Sequence, residues 1–346
     1  MPALVARAPT RIDFGGGWTD VPPYSEREGG FVCNVAIARH ATVRLESDLS
    51  EARSPSDGGE QLLARAALRV AGLPGVRAAI SNGFPLGAGL GGSSAAGVAM
   101  MGAIEAWRAT RGDPSGHLTP DELLLDRAAL AEASRRIEVE DLGIAGGRQD
   151  HYAAAFGGAL ALTFGVTTTA RPITLAPDTV HALETRCIVA YTGQSRISGD
   201  TISAVLNAYG ARDPRVMHAL ARMKALAASM AGALATGDVD ALGALVGEHW
   251  AHQRALHPAI TTPLIDRILD SARLAGALGG KALGASGGGC VVVIAARGAE
   301  EPVRLAVESL ATPLPFTIDH DGFAWWPEHR APSANAASPL PPLLTT

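Results

Sequence analysis

The feature that most constrains this chain is a run of glycines that leads into a helix. The segment PLGAGLGGSSAAG, residues 85–97, precedes an Ala-rich apolar stretch that predicts a buried helix from Ser93 to near Gly112. Glycines allow successive N–H groups to converge as an anion-binding nest. The start of a helix adds free N–H groups and a positive dipole end. A tight turn closed by a serine N-cap is the alternative, and this segment alone does not decide between them.

Two common nucleotide-binding motifs fit the glycine run poorly. Gly87, Gly89 and Gly92 match G-x-G-x-x-G, but Pro85 precedes them and a turn at Gly112 follows. The dinucleotide fingerprint instead needs a strand running into the first glycine and an acidic residue about 20 positions later. The P-loop motif GxxxxGK[ST] occurs nowhere in the sequence. A dinucleotide-dependent oxidoreductase is therefore disfavoured.

Length and charge narrow the class of protein. A chain of 346 residues suggests about two domains, and a net charge of −5 without a basic block argues against nucleic acid as a partner. The three cysteines are far apart and form no CxxC pair, which fits a reducing compartment better than a disulfide framework. The sequence shows neither a secretory signal nor an apolar run long enough to span a membrane. We therefore expect a cytoplasmic protein.

Helical and strand patterns alternate in irregular order. Strand-like runs include LVARAPT and CVVVIAA. Helical patterns cover residues 59–73, 120–143, 211–254 and 262–277. Asp121 and Glu122 fall in the first turn of the predicted helix 120–143. This order predicts an α+β fold rather than a doubly wound parallel sheet. A Thr- and Pro-containing stretch within 166–186 suggests a boundary between domains 1–175 and 176–330. The Pro/Ala/Ser-rich segment 331–346 is predicted to be a tail.

Two further segments combine glycine with charged side chains. APTRIDFGGGWTD, residues 8–20, presents Arg11, Asp13 and Asp20 around bare backbone, and GALGGKALGASGGGC, residues 276–290, forms a second glycine cluster. Any one of these charges could lie on the surface, and the second cluster could simply join a helix to a strand. Five glycines in that cluster exceed what a connection requires. Together the three segments favour an anion site over an ordinary turn.

These segments, with 138–158, resemble the GHMP small-molecule kinases, and most closely the branch that phosphorylates D-glycero-D-manno-heptose 7-phosphate. The resemblance implies an N-terminal domain like ribosomal protein S5, a ferredoxin-like C-terminal domain and an active site between them. It implies a kinase that uses ATP and Mg²⁺, a phosphotransferase with an alcohol group as acceptor. It leaves open whether the protein is a monomer or a homodimer.

The resemblance also implies roles for individual residues. Asp150 matches the proposed catalytic base, with Arg11 beside it, and Ser93 and Glu138 match the magnesium ligands. The ATP-binding loop comprises Gly87, Ala88, Gly89, Leu90, Gly91, Gly92, Ser93 and Ser94. The substrate-binding set comprises Asp13, Gly16, Gly17, Trp18, Asp20, Arg148, Arg196 and Gly288. Of these, Asp20 matches the residue that holds sugar hydroxyls.

The implied reaction is transfer of phosphate to C1 of the heptose 7-phosphate, giving the 1,7-bisphosphate for activated heptose in lipopolysaccharide, capsule or S-layer glycans. Gly17 and Trp18 replace an acidic residue and a histidine of galactokinase, which argues against galactose. Arg148, Arg196 and Lys281 are candidate cations for a distal phosphate. A kinase of an unphosphorylated sugar such as fucose, and a non-catalytic sugar-binding relative, remain alternatives.

The histidines of the sequence are not expected to be catalytic or to bind a metal. His151 directly follows Asp150 and is expected behind the site or on the helix surface. His249, His252 and His257 have no metal-binding spacing and are expected on a helix face.

Overall fold

The fold consists of two antiparallel sheets with helices packed against both. The computed structural model describes residues 3–47, 59–113, 123, 125–144, 146–194 and 199–330. The strands are β1 Ala3–Gly15, β2 Gly30–Ser47, β3 Val76–Asn82, β4 Ala159–Phe164, β5 Thr168–Ile173, β6 Cys187–Tyr191, β7 Ala277–Ala282, β8 Cys290–Ala295, β9 Thr312–Pro313 and β10 Ala324–Pro327.

The helices of the described residues vary from one turn to six. They are α1 Tyr24–Arg27, α2 Gly59–Ala71, α3 Gly92–Ala109, α4 Arg127–Arg136, α5 Gln149–Phe156, α6 Pro177–Arg186, α7 Gly199–Gly210, α8 Pro214–Thr236, α9 Val239–Ala255, α10 Pro263–Leu274 and α11 Glu300–Glu308. A π-helical turn, Ile137–Asp141, continues α4. No helix within these residues is long and apolar enough to cross a membrane.

The order of the strands confirms the α+β prediction. The first sheet runs β10-β1-β2-β4-β5, with β3 also paired to β2, and the second runs β7-β8-β6-β9. All of these pairings are antiparallel. The small side chains of α3 allow most of the helix to lie buried against β1 and β2, as its Ala-rich sequence predicts.

The domain limits do not follow simply from the sheets. The first sheet reaches Ile173 and the second begins at Cys187, but β10 returns to pair with β1. Residues of the predicted domain 176–330 therefore complete the first sheet. The boundary at 175/176 stays a prediction, and the predicted tail 331–346 lies outside the described residues.

The predicted helix 120–143 begins later than expected. Asp121 and Glu122 lie outside the described residues. Asp126 is the N-cap of α4, because its carboxylate accepts hydrogen bonds from the N–H groups of Ala128 and Ala129. Of the longer elements, β5, α6 and α7 were missed. The predicted helix 211–254 is divided by Gly237, which adopts a left-handed conformation.

The second glycine cluster is only partly a loop. Gly279 and Gly280 lie in strand β7, contrary to the sequence prediction. A Cβ atom on Gly279 would lie 2.1 Å from the carbonyl oxygen of Gly243 in α9. Glycine is therefore needed there because the helix backbone approaches the strand closely.

Candidate functional site

The glycine run forms a loop whose backbone alternates in handedness. Gly87, Gly89 and Gly91 have φ values of +68°, +72° and +76°, whereas Ala88 and Leu90 are buried and have no positive φ. Such alternation turns successive N–H groups toward one side, which is the geometry of an anion-binding nest. The buried side chains of Ala88 and Leu90 anchor the loop.

Helix α3 begins at the end of this loop without a serine cap. Gly91 is the N-cap and no side chain bonds to it, so the alternative of a serine N-cap is wrong. Ala95 N–H already donates to Gly91, but the N–H groups of Gly92, Ser93 and Ser94 have no partner within the helix. They add to the anion-binding potential of the loop.

The second glycine loop lies behind the first one. Cys290 N–H donates to the carbonyl of Ala88 over 2.7 Å. A Cβ atom on Gly89 would lie 2.7 Å from the carbonyl oxygen of Leu283, and one on Gly284 would lie 3.0 Å from the Cα of Gly89. Leu283, Gly284 and Cys290 therefore support the backbone of the phosphate-loop candidate, and Gly288 lies within the same segment of the chain.

Arg11 joins the loop to Asp150. Its Nε and Nη2 lie 2.8 and 2.7 Å from Asp150 Oδ1, and its Nη1 donates to the carbonyl of Gly89 over 2.7 Å. Arg11 is buried, whereas the side chain of Asp150 remains 25% exposed. The strand β1 extends through Gly15, beyond the predicted LVARAPT, so it holds Arg11 rigidly. The carboxylate is thus fixed beside the loop and still reachable from solvent.

Ser93 and Glu138 form an oxygen-rich pair at the start of α3. Ser93 is exposed and its hydroxyl donates to Glu138 Oε1 over 2.6 Å. Burial alone would raise the pKa of Glu138, but hydrogen bonds from His151, Ser93 and Ser94 outweigh it and keep the pKa below its usual value. The carboxylate is therefore ready to bind a cation.

This pair fits Mg²⁺. The ion takes oxygen ligands at about 2.0–2.1 Å in near-octahedral geometry, in which neighbouring ligands lie about 3 Å apart. The 2.6 Å between Ser93 Oγ and Glu138 Oε1 is close to that spacing. Mg²⁺ usually keeps one or two protein ligands and fills its other positions with water and phosphate.

Asp13 is held by a lysine from the second sheet. Lys281 Nζ lies 2.9 Å from Asp13 Oδ2 and also donates to the Asp13 carbonyl, and neither side chain is more than 3% exposed. Burial alone would raise the pKa of Asp13, but the charges of Lys281 and Arg11 hold it below its usual value. Lys281 is therefore paired within the core and is not a free phosphate-binding cation.

Asp20 lies buried without an ion-pair partner in the described part of the chain. It is 2% exposed, and its Oδ2 accepts a hydrogen bond from the N–H of Gln149 over 3.1 Å. Burial raises the pKa of Asp20 to about 6, although this hydrogen bond opposes the shift. A Cβ atom on Gly147 would lie 1.9 Å from Asp20 Oδ2. The carboxyl group thus lies directly against bare backbone of the GGRQD segment.

The turn between β1 and α1 adopts strained conformations. Trp18 has φ +77° although it is a bulky residue, and its Nε1 is buried without a hydrogen bond to any residue that the structure describes. Gly16 N–H donates to His249 Nε2 over 2.9 Å. A Cβ atom on Gly17 would lie 2.5 Å from Asp13 Oδ2. Strained backbone of this kind is typical of functional sites.

The remaining predicted substrate residues are less informative. Arg148 Nη1 donates to the carbonyl of Gly165 over 3.2 Å, whereas its Nε lies 3.9 Å from Glu132 Oε1 without a hydrogen bond to any described residue, so its guanidinium is only partly engaged. Arg196 lies outside the described residues.

Sequence reasoning missed several buried polar residues at the site. His249 was expected on a helix face but is fully buried, and burial lowers its pKa well below the usual value. Asn34 is fully buried opposite Asp13 on β2, and neither polar atom of its side chain has a hydrogen-bond partner within the described part of the chain. A single amide within the apolar run FVCNVAI was a usable signal, since buried amides are rarely left unpaired.

A cavity away from these residues carries no predicted site residue. It measures about 420 Å³ and lies between α9, α10 and the edge strand β7, lined among others by Trp250, Arg254 and Asp270. The candidate site is therefore defined by converging polar groups rather than by the cavity volume.

Two segments of the chain match models of a known protein family. Residues 61–158 match the family model "GHMP kinases N terminal domain", and residues 230–311 match "GHMP kinases C terminal". A galactokinase from Mycobacterium tuberculosis is 30% identical over 275 residues, which are 69% of this chain and 71% of that protein.

Other relatives are similar over more of the chain. A D-glycero-alpha-D-manno-heptose 7-phosphate kinase from Campylobacter jejuni is 26% identical over 314 residues, 84% of this chain and 88% of that protein. A bifunctional fucokinase/GDP-fucose pyrophosphorylase from Arabidopsis thaliana is 26% identical over 327 residues, 83% of this chain and 29% of that protein. The chain thus spans about a third of the length of the bifunctional relatives it matches.

A solved structure supports the fold. It is described as a D-glycero-D-manno-heptose 1-phosphate kinase from Bacteriodes thetaiotaomicron, and it is 24% identical with a TM-score of 0.71. The match covers 93% of this chain and 98% of that one.

Proposed function

The chain belongs to the GHMP kinase family, and on this premise we propose that it is an ATP- and Mg²⁺-dependent sugar kinase. One observation supports this most strongly. The chain brings Arg11 and Asp150, which are 139 positions apart, to the edge of the glycine loop. The Ser93–Glu138 pair lies where this loop meets α3. Phosphoryl transfer depends mainly on positioning and charge stabilisation, and these groups provide both.

The proposed reaction assigns one task to each group. The oxygen of a sugar hydroxyl bonds to the γ-phosphorus of ATP, the bond to the β–γ bridging oxygen breaks, and ADP leaves. Asp150 accepts the proton of the hydroxyl. Arg11 holds Asp150 and the Gly89 carbonyl at a fixed spacing and contributes a permanent positive charge. Mg²⁺, held by Ser93 and Glu138, would neutralise charge on the phosphates.

For the acceptor we propose C1 of D-glycero-D-manno-heptose 7-phosphate. An anomeric hydroxyl is more acidic than an ordinary alcohol, so a carboxylate is an adequate base for it. The similarity to the Campylobacter jejuni heptose 7-phosphate kinase, over 84% of this chain, supports this substrate. The 1,7-bisphosphate would then serve the synthesis of activated heptose for surface glycans.

One observation favours a second candidate, a sugar without a distal phosphate, such as fucose. Of the three cations proposed for that phosphate, Lys281 is buried against Asp13, and Arg148 is partly engaged by the carbonyl of Gly165. Arg196 lies outside the described residues. The similarity to the plant fucokinase covers 83% of this chain, nearly the same share as the heptose kinase.

A panel assay separates the two candidates. ADP release is measured with ATP, Mg²⁺ and a set of sugars and sugar phosphates, and ³¹P NMR identifies the phosphorylated position. We expect turnover of the heptose 7-phosphate at C1. Turnover of fucose but not of the 7-phosphate would replace the proposed substrate, and sugar binding without any turnover would contradict the kinase proposal.

Replacing Asp150 tests the proposed base. We expect Asp150→Asn to lower kcat by about 10²–10⁴-fold while ATP affinity is largely kept, because the loop is untouched. Asp178→Asn, at an exposed position of α6, is the matched control and should be as active as the wild type. Near-wild-type activity of Asp150→Asn would remove Asp150 from this role.

A further inference from the structure

A buried histidine holds the carboxylate of Glu138 from behind. His151 Nε2 lies 2.8 Å from Glu138 Oε2, and its Nδ1 lies 2.9 Å from the hydroxyl of Ser134. His151 is 1% exposed and Ser134 is fully buried. The three side chains form a continuous hydrogen-bonded chain that ends on the proposed metal-binding carboxylate.

The direction of these hydrogen bonds follows from the chemistry of the groups. An ionised carboxylate only accepts, so His151 must donate to Glu138 through Nε2–H. In a neutral imidazole Nδ1 is then the acceptor, and Ser134 donates its hydroxyl proton to it. The carboxylate thereby fixes the tautomer of His151, and the Ser134 hydroxyl, which can donate or accept, satisfies Nδ1.

The backbone is shaped to make this chain of contacts possible. Glu138 lies in the π-helical turn after α4, and such turns are frequent at functional sites. A Cβ atom on Gly97 of α3 would lie 2.4 Å from Ser134 Oγ. Only glycine at this position leaves room for the hydroxyl. The π-helical turn and the bare backbone of α3 therefore make room for this hydrogen-bonded chain.

We propose that His151 is a positioning residue, which together with Ser134 holds Glu138 so that its Oε1 stays directed at Ser93 and at Mg²⁺. The inference rests on the proposed function. Glu138 Oε2 is engaged by His151, while Oε1 lies 2.6 Å from the exposed Ser93 hydroxyl. The carboxylate is thus oriented before the metal arrives, and its binding needs little rearrangement.

A serine–histidine–carboxylate chain also occurs in hydrolases, but burial excludes that use here. Ser134 Oγ is 2.9 Å from His151 and lies between α3 and α4 with no exposed surface. A substrate carbonyl cannot reach it. The chain of hydrogen bonds acts on Glu138, which is the most exposed of its three members, at 8%.

The test compares two substitutions of His151 with a neighbouring control. His151→Phe removes the donor, and His151→Gln keeps an N–H group near the position of Nε2. Tyr152→Phe is the matched control, because Tyr152 is also buried in α5 but bonds to Glu132 instead. Binding of Mn²⁺ to the full chain with a non-hydrolysable ATP analogue is measured by electron paramagnetic resonance. Metal-free binding of the analogue and the melting temperature are measured alongside.

We expect His151→Phe to weaken Mn²⁺ binding by about 10–100-fold, the usual cost of removing the partner of a metal ligand. The Mg²⁺ concentration for half-maximal activity should rise similarly, with kcat at saturating Mg²⁺ changing far less. His151→Gln should recover most of the affinity, and Tyr152→Phe should bind Mn²⁺ like the wild type.

Three results would overturn the inference. His151→Phe could bind Mn²⁺ as the wild type does, His151→Gln could be as defective as His151→Phe, or Tyr152→Phe could show an equal loss. In each case the wild-type protein still binds the metal–nucleotide complex, so the proposed function survives. A wild-type protein that binds no Mn²⁺ with the analogue would overturn both.

Discussion

Asp20 offers the sharpest test of the electrostatics, because its carboxyl group is buried and no cation among the described residues forms an ion pair with it. Burial raises the pKa of Asp20 from 3.8 to about 6. A raised pKa in the folded state means that folding disfavours the charged form. The contribution of this group to the free energy of unfolding is fully present below pH 3.8, and it is lost as the pH rises through about 6. The shift of about 2 units corresponds to about 3 kcal/mol, at 1.36 kcal/mol per unit.

The perturbation is Asp20→Asn, which cannot ionise but still accepts the hydrogen bond from Gln149 N–H. The variant should be more stable than the wild type at pH 8, and the difference should shrink as the pH falls. About half of the effect, on the order of 1.5 kcal/mol, should develop between pH 5 and pH 8, since linkage is spread between the two pKa values. Urea unfolding followed by tryptophan fluorescence measures this difference at each pH.

Glu308→Gln, at an exposed position of α11, is the control and should show no comparable pH-dependent difference. A stability difference for Asp20→Asn that stays constant from pH 5 to pH 8 would refute the reasoning. A variant that becomes less stable than the wild type at high pH would show that the ionised carboxylate is stabilised by its surroundings.

Two further predictions concern packing. Gly89→Ala should reduce ATP affinity and stability more than Gly143→Ala. Both glycines have positive φ, but of the two only Gly89 would bring its Cβ atom against a carbonyl oxygen, at 2.7 Å. Equal losses of the two variants in nucleotide titrations and urea unfolding would contradict this. Lys281→Met should cost about 3–5 kcal/mol in urea unfolding, because it leaves the Asp13 charge buried and unpaired. The double variant with Asp13→Asn should regain part of that loss, and no recovery would argue against the ion pair as the cause.

The phosphate-loop candidate could be predicted from sequence because its signals are local. Alternating glycines, two small or apolar anchors and an Ala-rich run stand within the stretch 85–97. The conformations of Gly87, Gly89 and Gly91 follow directly from that order. The same holds for the buried helix α3, whose existence was clear although its cap was not.

The partners within the site could not be predicted in this way. Lys281 bonds to Asp13 across 268 positions, and Gly16 bonds to His249 across 233. No local pattern encodes such contacts, since they depend on how two sheets and their helices pack. The same packing explains Gly279, which looked like loop glycine but makes room for a helix.

The return of β10 to the first sheet has a consequence for synthesis. Strand β1 is made before its partners and pairs on one side with β2, but among the described residues its other edge is filled along residues 4–7 by residues 324–327. The roughly 310 residues that separate β1 from β10 take on the order of 15–60 s to make at about 5–20 residues per second. During that time the N-terminal strand carries unpaired backbone groups. The sheet that carries Arg11 is therefore completed only when nearly all of the described chain has been made.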